Sequence, residues 1–426
     1  MFEYISSLER FLVNSKKIIP KNANLGLVAN QVSFSFYFTK YSFEILNPKK
    51  VFLLEHGFFS ELQDQIPITS KSIYQKYSDI QWISLYGETF DSLKPQKRDL
   101  EDLDVLVVDI QDVGSRYYTF LTSVLYILQA IVDYQLRIKI IVLDRINPTF
   151  HNNKRSFEGT PLQKKFVSFV GVEGILHRHG LTPAELLFYY WINIKNRNQS
   201  EFLFVPYHKE VPIQKLYPER EIILEDKEDK RIIRFSQNPF DIYPSPNMPT
   251  TTTAKVYTGQ CLLEGTNLSE GRGTTKPFEI FGAPFIDKKI QEKISNSIEF
   301  QKLGVVLRPM TFIPNYHKFK NEICHGWQIH ITDEKKYHSL FTTLLILRYL
   351  HKWTKDFDWF RGVYEFRSEY LAVLYLLGDE ELFRFVESDK VSPNDLFSYL
   401  KKHEHVWKTK VKKFFLYGER FSKRSN

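Results

Sequence analysis

The stretch LDVLVVDIQDVGSRYYTF, residues 103–120, decides the fold of this chain. It contains the apolar run VLVVDI at 105–110, which stops at Gln111 and Asp112. A short apolar run without alternating polar residues is typical of a strand buried on both faces of a parallel sheet. The segment that follows, 115–132, has the length and apolar spacing of a helix. We therefore predict a strand–helix unit of an α/β sheet.

Similar units surround this stretch in the first half of the chain. A helix is predicted at 7–18, and further short apolar strands at 25–29, 51–54, 81–85, 138–143 and 202–205. Such alternation predicts a Rossmann-like parallel sheet covered by helices, in an N-terminal domain of residues 1–240. Neither GxGxxG nor GxxxxGK[ST] occurs, which argues against an oxidoreductase or an ATPase. We expect no cofactor.

The second half is predicted to form a smaller α/β domain, residues 241–426. Strands are expected at 305–311 and 327–332, and helices at 337–353 and 365–377. The highly charged stretch 215–234 before this domain is predicted to be an excursion or a linker.

Two segments of the second half have loop composition. Three prolines within YPSPNMP, residues 243–249, exclude a helix and a central strand. The loop at 261–277 is rich in Gly, Ser, Thr and Asn, and it carries Glu264, Asn267, Glu270 and Arg272. Long loops with charged groups are often binding loops, so we expect this one to contribute to the site.

Charge and cysteine content limit the partners and the compartment. The chain has 58 Lys and Arg against 50 Asp and Glu, a formal net charge of +8. Most basic residues are spread along the chain, which indicates a solvated basic surface rather than nucleic-acid binding. Two cysteines fit a reducing compartment. No apolar run reaches the roughly 18 residues of a membrane span, and no signal peptide is recognisable, so we expect a cytoplasmic protein.

Polar and ionisable residues follow the predicted strands at the points where the strands end. They are Asn30, Glu55, His56, Asp109, Asp112, Asp144 and Arg145. The carboxyl ends of parallel strands share one edge of the sheet, where ligands bind. A glycosidase needs a carboxylic acid that protonates the leaving oxygen and a second group that activates water or attacks the sugar. Glu55 directly follows an apolar strand, and Gly57 allows a sharp turn beside it.

Other roles for these residues remain open at this point. His56, Asp109 and Asp112 could bind a metal ion, although no HxH or HExxH motif supports such a site. Arg116, Arg145 and Arg272 could each hold a substrate carboxylate or form an ion pair within the protein. Tyr118 could face a sugar ring or belong to the core.

Several motifs together resemble one known family. They are LGLVANQ (25–31), LEHGF (54–58), SLYG (84–87), LDVLVVDIQDVGSRYYTF (103–120), VLDRINP (142–148), SFVGVEG (168–174), RHGLTPAEL (178–186), PSPNMPT (244–250) and CLLEGTNLSEGRGTTKPFEIFGAPFID (261–287). In this order they resemble the NamZ-like exo-β-N-acetylmuramidases, formerly a domain of unknown function. The resemblance covers residues from about 24 to about 350.

The resemblance implies a Rossmann-like domain joined to a smaller α/β domain, with the active site in a cleft. It implies hydrolysis of the β-1,4 bond that joins a terminal N-acetylmuramic acid to N-acetylglucosamine in peptidoglycan fragments. The glutamate of the family's EHG motif falls on Glu55, the candidate acid/base, and the adjacent histidine on His56. The other implied site residues are Asp109, Asp112, Arg116 and Tyr118 in the first domain and Glu264, Asn267, Glu270 and Arg272 in the second.

The sequence departs from the family pattern beside the proposed acid. Where the family has Phe-Arg-Gly after EHG, this chain has Phe58, Phe59 and Ser60. Such a change could alter specificity or remove activity. A non-catalytic protein that binds muropeptides or amino sugars is therefore the alternative hypothesis. The substrate's lactyl carboxylate would suit Arg116 or Arg272, and its acetamido group would suit Asn267.

Overall fold

The computed structural model of the chain describes residues 6–63, 66–68, 72–151, 154–196, 200–207, 214–215 and 240–417. The strands are β1 (Leu25–Ala29), β2 (Phe34–Ser35), β3 (Lys40–Tyr41), β4 (Lys50–Leu53), β5 (Gln81–Ser84), β6 (Val105–Asp109), β7 (Lys139–Leu143), β8 (Glu158–Pro161), β9 (Leu176–Arg178), β10 (Phe202–Val205), β11 (Gln214–Lys215), β12 (Ile280–Ala283), β13 (Val305–Phe312) and β14 (Cys324–Ile331). The α-helices are α1 (Ser7–Ile18), α2 (Ser42–Leu46), α3 (Lys97–Leu100), α4 (Thr119–Asp133), α5 (Pro183–Asn193), α6 (Thr251–Gln260), α7 (Lys288–Ser295), α8 (Ile298–Lys302), α9 (Ser339–Trp353), α10 (Ala372–Leu377), α11 (Glu380–Glu387) and α12 (Pro393–Val411). Apart from β11, the predicted linker 215–234 lies outside the described residues.

The main sheet has seven strands in the order β11-β10-β7-β6-β1-β4-β5. The pairs from β10 to β5 are parallel, and β11 alone is antiparallel to its neighbour. Strand β6 lies at the centre, with Val108 opposite both Val28 of β1 and Val142 of β7. The parallel sheet and the α/β class predicted from the sequence are confirmed. Glu55 follows β4, one strand away from β6 across β1.

Strand β6 is buried on both faces, as its composition predicts. Leu106 and Val108 belong to the larger core cluster, whereas Val105 and Val107 belong to the second one. The larger cluster contains apolar residues of α4, and the second contains Leu8, Phe11 and Leu12 of α1. Both faces are therefore covered by helices, which removes apolar side chains of successive residues from water.

The second half forms the smaller α/β part around an antiparallel sheet of order β12-β14-β13. Helix α6 packs against α9, and α12 packs against β8 of the first half. One continuous apolar cluster contains residues of β6, α6 and α9. The boundary at residues 240 and 241 stays a prediction. Across the described part of the chain, no helix is long and apolar enough to cross a membrane.

The predicted helix at 365–377 is wrong in its first half. Only Ala372–Leu377 is helical. Glu365 and Phe366 have φ angles of 46° and 66°, and Tyr364 pairs with Arg367 in an isolated bridge. A left-handed backbone cannot continue a right-handed helix. Phe366 instead packs against the second apolar cluster, beside the Tyr86 ring.

Candidate active site

Glu55 lies where β4 ends, and its side chain lines a cleft between the two halves of the chain. The residue is 5% exposed. Its Oε2 accepts a 2.6 Å hydrogen bond from the Thr119 hydroxyl, at the start of α4. Oε1 has no hydrogen bond from any residue that the structure describes. One oxygen of the carboxyl group is thus held by Thr119, and the other faces the cleft.

A tight turn directs the chain away from the cleft after Glu55. His56 and Gly57 have φ angles of 72° and 79°, and the amide of Gly57 donates to the carbonyl of Leu54 at 3.1 Å. A Cβ on Gly57 would lie 2.3 Å from a carboxylate oxygen of Glu61. The turn therefore requires glycine at this position. His56 also lines the cleft, and its Nδ1 lies 3.1 Å from the carbonyl oxygen of Leu62.

The proline-rich segment forms one wall of the cleft. Ser245, Asn247 and Met248 line the cleft. The carbonyl oxygen of Pro244 accepts hydrogen bonds from Asn30 Nδ2 and from Ser60 Oγ, each at 3.0 Å. Asn30, a predicted substrate-binding residue, is completely buried and holds this wall in place. Ser60, one of the departures from the family pattern, has the same role.

The opposite wall comes from the second half and carries linked charged groups. Arg272 Nη2 lies 3.0 Å from Oε1 of Glu264, and the Tyr364 hydroxyl donates to Oε2 of Glu264 at 2.6 Å. All three side chains line the cleft. Burial raises the pKa of the Tyr364 hydroxyl well above its usual value, so this group stays a neutral donor.

Glu270 lies behind Arg272 and does not line the cleft. Its Oε1 is 3.3 Å from Arg272 Nη1 and 3.0 Å from His317 Nδ1, and its Oε2 is 3.2 Å from Lys318 Nζ. Burial by itself would raise the pKa of this carboxyl, but the neighbouring Lys318, His317 and Arg272 hold it well below its usual value. Glu270 is therefore an anion that orients the arginine.

The cleft is narrow. Its volume is about 40 Å³. Tyr118, Val170, Tyr257 and Phe278 supply apolar and aromatic surface.

Asp109 and Arg145 bind each other instead of lining the cleft. Both Nε and Nη2 of Arg145 lie 2.8 Å from Oδ1 of Asp109, and the Ser33 hydroxyl donates to Oδ2 at 2.5 Å. Asp109 is completely buried. Of the two roles considered for Arg145, the geometry shows the ion pair within the protein.

Asp112 lies behind Tyr118, which lines both the cleft and a small cavity that contains Asp112. Asp112 Oδ2 accepts from the amide of Gly114 at 2.6 Å and lies 3.1 Å from His179 Nε2. His179 Nδ1 accepts from the amide of Leu181, so Nε2 carries the proton and donates to Asp112. These contacts fix the turn after β6.

Arg116 and Asn267 are also placed outside the cleft. Arg116 is buried, and its guanidinium donates to the carbonyl oxygens of Thr160, Ile175, Leu376 and Leu377. Burial lowers its pKa to about 10. Asn267 donates to the carbonyl of Asp356 and accepts from the amide of Asp358. Of the three arginines predicted to bind substrate, Arg272 is thus the one that lines the cleft.

The metal hypothesis lacks a converging set of ligands. His56, Asp109 and Asp112 have the separate partners described above. Within the described ranges, no group of three or more His, Cys, Asp and Glu side chains could hold a metal ion.

Some cleft residues were not found by sequence reasoning. Glu365 contributes a third carboxylate and lies 3.3 Å from the Tyr86 hydroxyl. Tyr257 and Ser245 also line the cleft. The proline-rich motif was the signal for Ser245. No sequence pattern near Glu365 predicts its place in the cleft. Its side chain is directed there by a left-handed backbone conformation, and it lies more than 300 residues from Glu55 in the chain.

Comparison with known proteins identifies the family of this chain. The models described as "Exo-beta-N-acetylmuramidase NamZ, N-terminal" and "Exo-beta-N-acetylmuramidase NamZ, C-terminal" match residues 25–252 and 255–417. The chain belongs to the NamZ family. A relative named "Peptidoglycan beta-N-acetylmuramidase NamZ" from Bacillus subtilis (strain 168) is 34% identical over 364 residues, which cover 83% of this chain and 79% of the relative. The resemblance stated from motifs is confirmed, and the match extends beyond residue 350.

Two solved structures of DUF1343 family proteins from Bacteroides fragilis NCTC 9343 share the fold. Their TM-scores are 0.74 and 0.68, with sequence identities of 22% and 23%. Each alignment covers 98% of this chain and 99% of the other. Within this NamZ family member, Glu55 lies in the N-terminal match, whereas Glu264, Arg272 and Glu365 lie in the C-terminal match. The cleft therefore combines groups from both.

Proposed function

We propose that this protein is an exo-acting glycoside hydrolase that releases N-acetylmuramic acid from the non-reducing end of peptidoglycan fragments. The observation that carries the proposal is the Glu55 carboxyl, buried at the edge of the sheet with one oxygen bound by Thr119 and the other facing the cleft. The name of the Bacillus subtilis relative supports the substrate class.

Glu55 is proposed to give a proton to the glycosidic oxygen. Bond cleavage leaves electrons on that oxygen, and a proton from a positioned acid stabilises the departing N-acetylglucosamine. The Thr119 hydrogen bond and the adjacent turn fix the direction of the carboxyl, since a catalytic group acts only from a defined position. His56, next to it, is proposed to contribute to the same reaction.

Arg272 is proposed to bind the lactyl carboxylate that distinguishes N-acetylmuramic acid from N-acetylglucosamine. Arginine has five N–H donors, and the contacts with Glu264 and Glu270 hold its guanidinium plane in one orientation. Its side chain lines the cleft and is nearly buried, so a bound carboxylate would be shielded from water. Glu264 and Glu270 thus act on the substrate through the arginine.

The direct test is incubation of the pure protein with the disaccharide of N-acetylmuramic acid β-1,4-linked to N-acetylglucosamine. We expect free N-acetylmuramic acid, measured by chromatography, and far less product with the Glu55→Gln variant. Calorimetry with a substrate analogue provides the second arm. Binding without hydrolysis by the wild-type protein would overturn the enzymatic proposal in favour of the binding-protein alternative.

We also propose that the protein acts in the cytoplasm, on imported wall fragments that are being recycled. Both cysteines, Cys261 and Cys324, are buried free thiols, which fits a reducing compartment. Cell fractionation with a specific antibody tests this location, and recovery in the extracellular fraction would contradict it.

A further inference from the structure

A second and larger cavity, of about 940 Å³, lies on the other side of α6 from the cleft. Lys255 lines this cavity, whereas Tyr257, two residues later on α6, lines the cleft. Side chains two residues apart on a helix point about 200° away from each other. The remaining walls come from segments near β8 and β9, from α8, from the start of α9 and from α12. The cavity is therefore separate from the proposed active site.

Cationic side chains dominate the lining of this cavity. Nine lysine and arginine side chains surround it, against three glutamates. The formal charge of the whole chain is only +8. A concave surface lined by one sign of charge concentrates its field and attracts ions of the opposite sign.

The three glutamates are already neutralised inside the cavity. Glu158 forms ion pairs with Arg178 and His338, and Glu404 lies 2.7 Å from His338 and 2.8 Å from Lys401. Burial by itself would lower the pKa of His338, but the two carboxylates raise it to about 9, so this imidazole is charged at neutral pH. Glu334 lies 2.7 Å from Lys255. Each glutamate of the cavity is therefore paired with a cation, so none of them carries an unbalanced negative charge that would repel an anion.

Three lysines at the cavity have no carboxylate partner among the residues that the structure describes. They are Lys154, Lys302 and Lys335, and they come from three separate segments: the chain before β8, the end of α8 and the turn before α9. All three are exposed, so a ligand can reach their ammonium groups without displacing an ion pair. Their charge attracts an anion that spans the space between them.

We propose that this cavity is a binding site for a compound that carries two or more phosphate groups. Lysine binds phosphate as a point charge, and a phosphate group carries about −1.5 to −2 charges where a carboxylate carries one, so separate ammonium groups attract it more strongly. The space exceeds the volume of roughly thirty water molecules, more than a single phosphate fills. The separated lysines match charges distributed along a ligand rather than concentrated at one point.

The test is calorimetric titration with tripolyphosphate as the probe, in low salt. We expect saturable binding to the wild-type protein that weakens as salt is added. The variant Lys154→Gln/Lys302→Gln/Lys335→Gln should bind at least about tenfold more weakly, because three attractive charges are lost. A matched control, Lys97→Gln/Lys288→Gln/Lys320→Gln, removes the same net charge at exposed positions outside the cavity and should keep the wild-type affinity.

Equal weakening in both triple variants, or absence of saturable binding, would overturn the site. Citrate provides a carboxylate probe of similar charge, and citrate binding as tight as tripolyphosphate binding would overturn the assignment to phosphate. A glycerol-phosphate oligomer and free tripolyphosphate distinguish a polymeric from a small phosphate ligand. Hydrolysis of the disaccharide should be unchanged in the cavity variant, and tripolyphosphate binding should be unchanged in Glu55→Gln. The two proposals can therefore fail independently.

Discussion

The Thr119 hydroxyl donates a 2.6 Å hydrogen bond to Oε2 of Glu55, joining the first residue of α4 to the end of β4. These two residues are 64 positions apart in the chain. The parallel sheet brings them together, since Thr119 follows the turn after β6 and Glu55 follows β4. The contact selects one position for the carboxyl group that we propose as the acid.

We expect Thr119→Val to reduce turnover of the disaccharide by about tenfold to a hundredfold. A hydrogen bond contributes about 0.5–1.5 kcal/mol, and without it the carboxyl is also free to leave its position, where a misplacement of about 1 Å can cost about 10²-fold. Glu55→Gln should cost about 10²–10⁴-fold, the usual contribution of a general acid. Steady-state kinetics measure both effects. Thr122→Val, in the same helix but outside the cleft, is the matched control. A wild-type rate for Glu55→Gln would remove Glu55 from its role.

Arg272→Gln should abolish discrimination between N-acetylmuramic acid and N-acetylglucosamine at the non-reducing end. Loss of a charge-assisted contact of about 1.5–3 kcal/mol predicts a fall in kcat/KM of about tenfold to a hundredfold for the muramyl substrate. A substrate without the lactyl group should be affected much less. Arg308→Gln removes an exposed arginine away from the cleft and serves as the control. Equal losses with both substrates would show that Arg272 supports the fold and does not bind the carboxylate.

Glu365→Gln should lower turnover by at least about tenfold if this carboxylate provides the second group that hydrolysis of a glycosidic bond requires. Glu365 lines the cleft with Glu55, whereas the neighbouring Glu369 does not. Glu369→Gln is therefore the comparison variant. Rates measured at saturating disaccharide decide the point, and equal rates for the two variants would contradict a role for Glu365 in the reaction.

Chelators should leave the activity unchanged. Asp109 is bound by Arg145 and Ser33, and Asp112 by His179 and Gly114, so these carboxylates do not converge with His56 on one point. Dialysis against EDTA followed by the disaccharide assay measures the effect. Inactivation that is reversed by added metal would restore the metal-dependent hypothesis.

The free energy of unfolding should decrease as pH rises from about 6.5 to above 9. Over this range His338, which lies between Glu158 and Glu404, loses its proton. The folded pKa of this histidine is raised to about 9, so its contribution is complete below the pKa of the unfolded chain and is lost above the folded value. The difference corresponds to about 3 kcal/mol. Urea unfolding at pH 6.5 and 9.5 measures it.

The same network predicts the behaviour of Glu404→Gln. With one carboxylate removed, the folded pKa of His338 falls, so the loss of stability should be smaller and should be complete at a lower pH. Exposed His330 offers a control, and His330→Gln should leave the pH dependence as it is in the wild-type protein. An identical pH dependence in Glu404→Gln and wild-type protein would contradict the coupling of these groups.

The fold of the first half could be predicted because its signals are local. Four successive apolar residues in β6 specify a buried strand, and Thr182, Pro183 and Glu185 specify the start of α5 through a capping box. Helix α1 was predicted with the bounds that the structure has. Parallel strands that end in polar residues bring those residues to one edge of the sheet, whatever the surrounding loops do.

The sequence by itself determined the α/β class, the family and the placement of Glu55 at a strand end, since periodicity and motifs are properties of neighbouring residues. Only the tertiary structure decided that Arg272 faces the cleft while Arg116 donates to buried carbonyls, and that Glu365 joins Glu55. The physical reason is that a charged side chain is directed by partners from distant segments, whose positions depend on packing of the whole chain. Residue type and spacing contain no information about those partners.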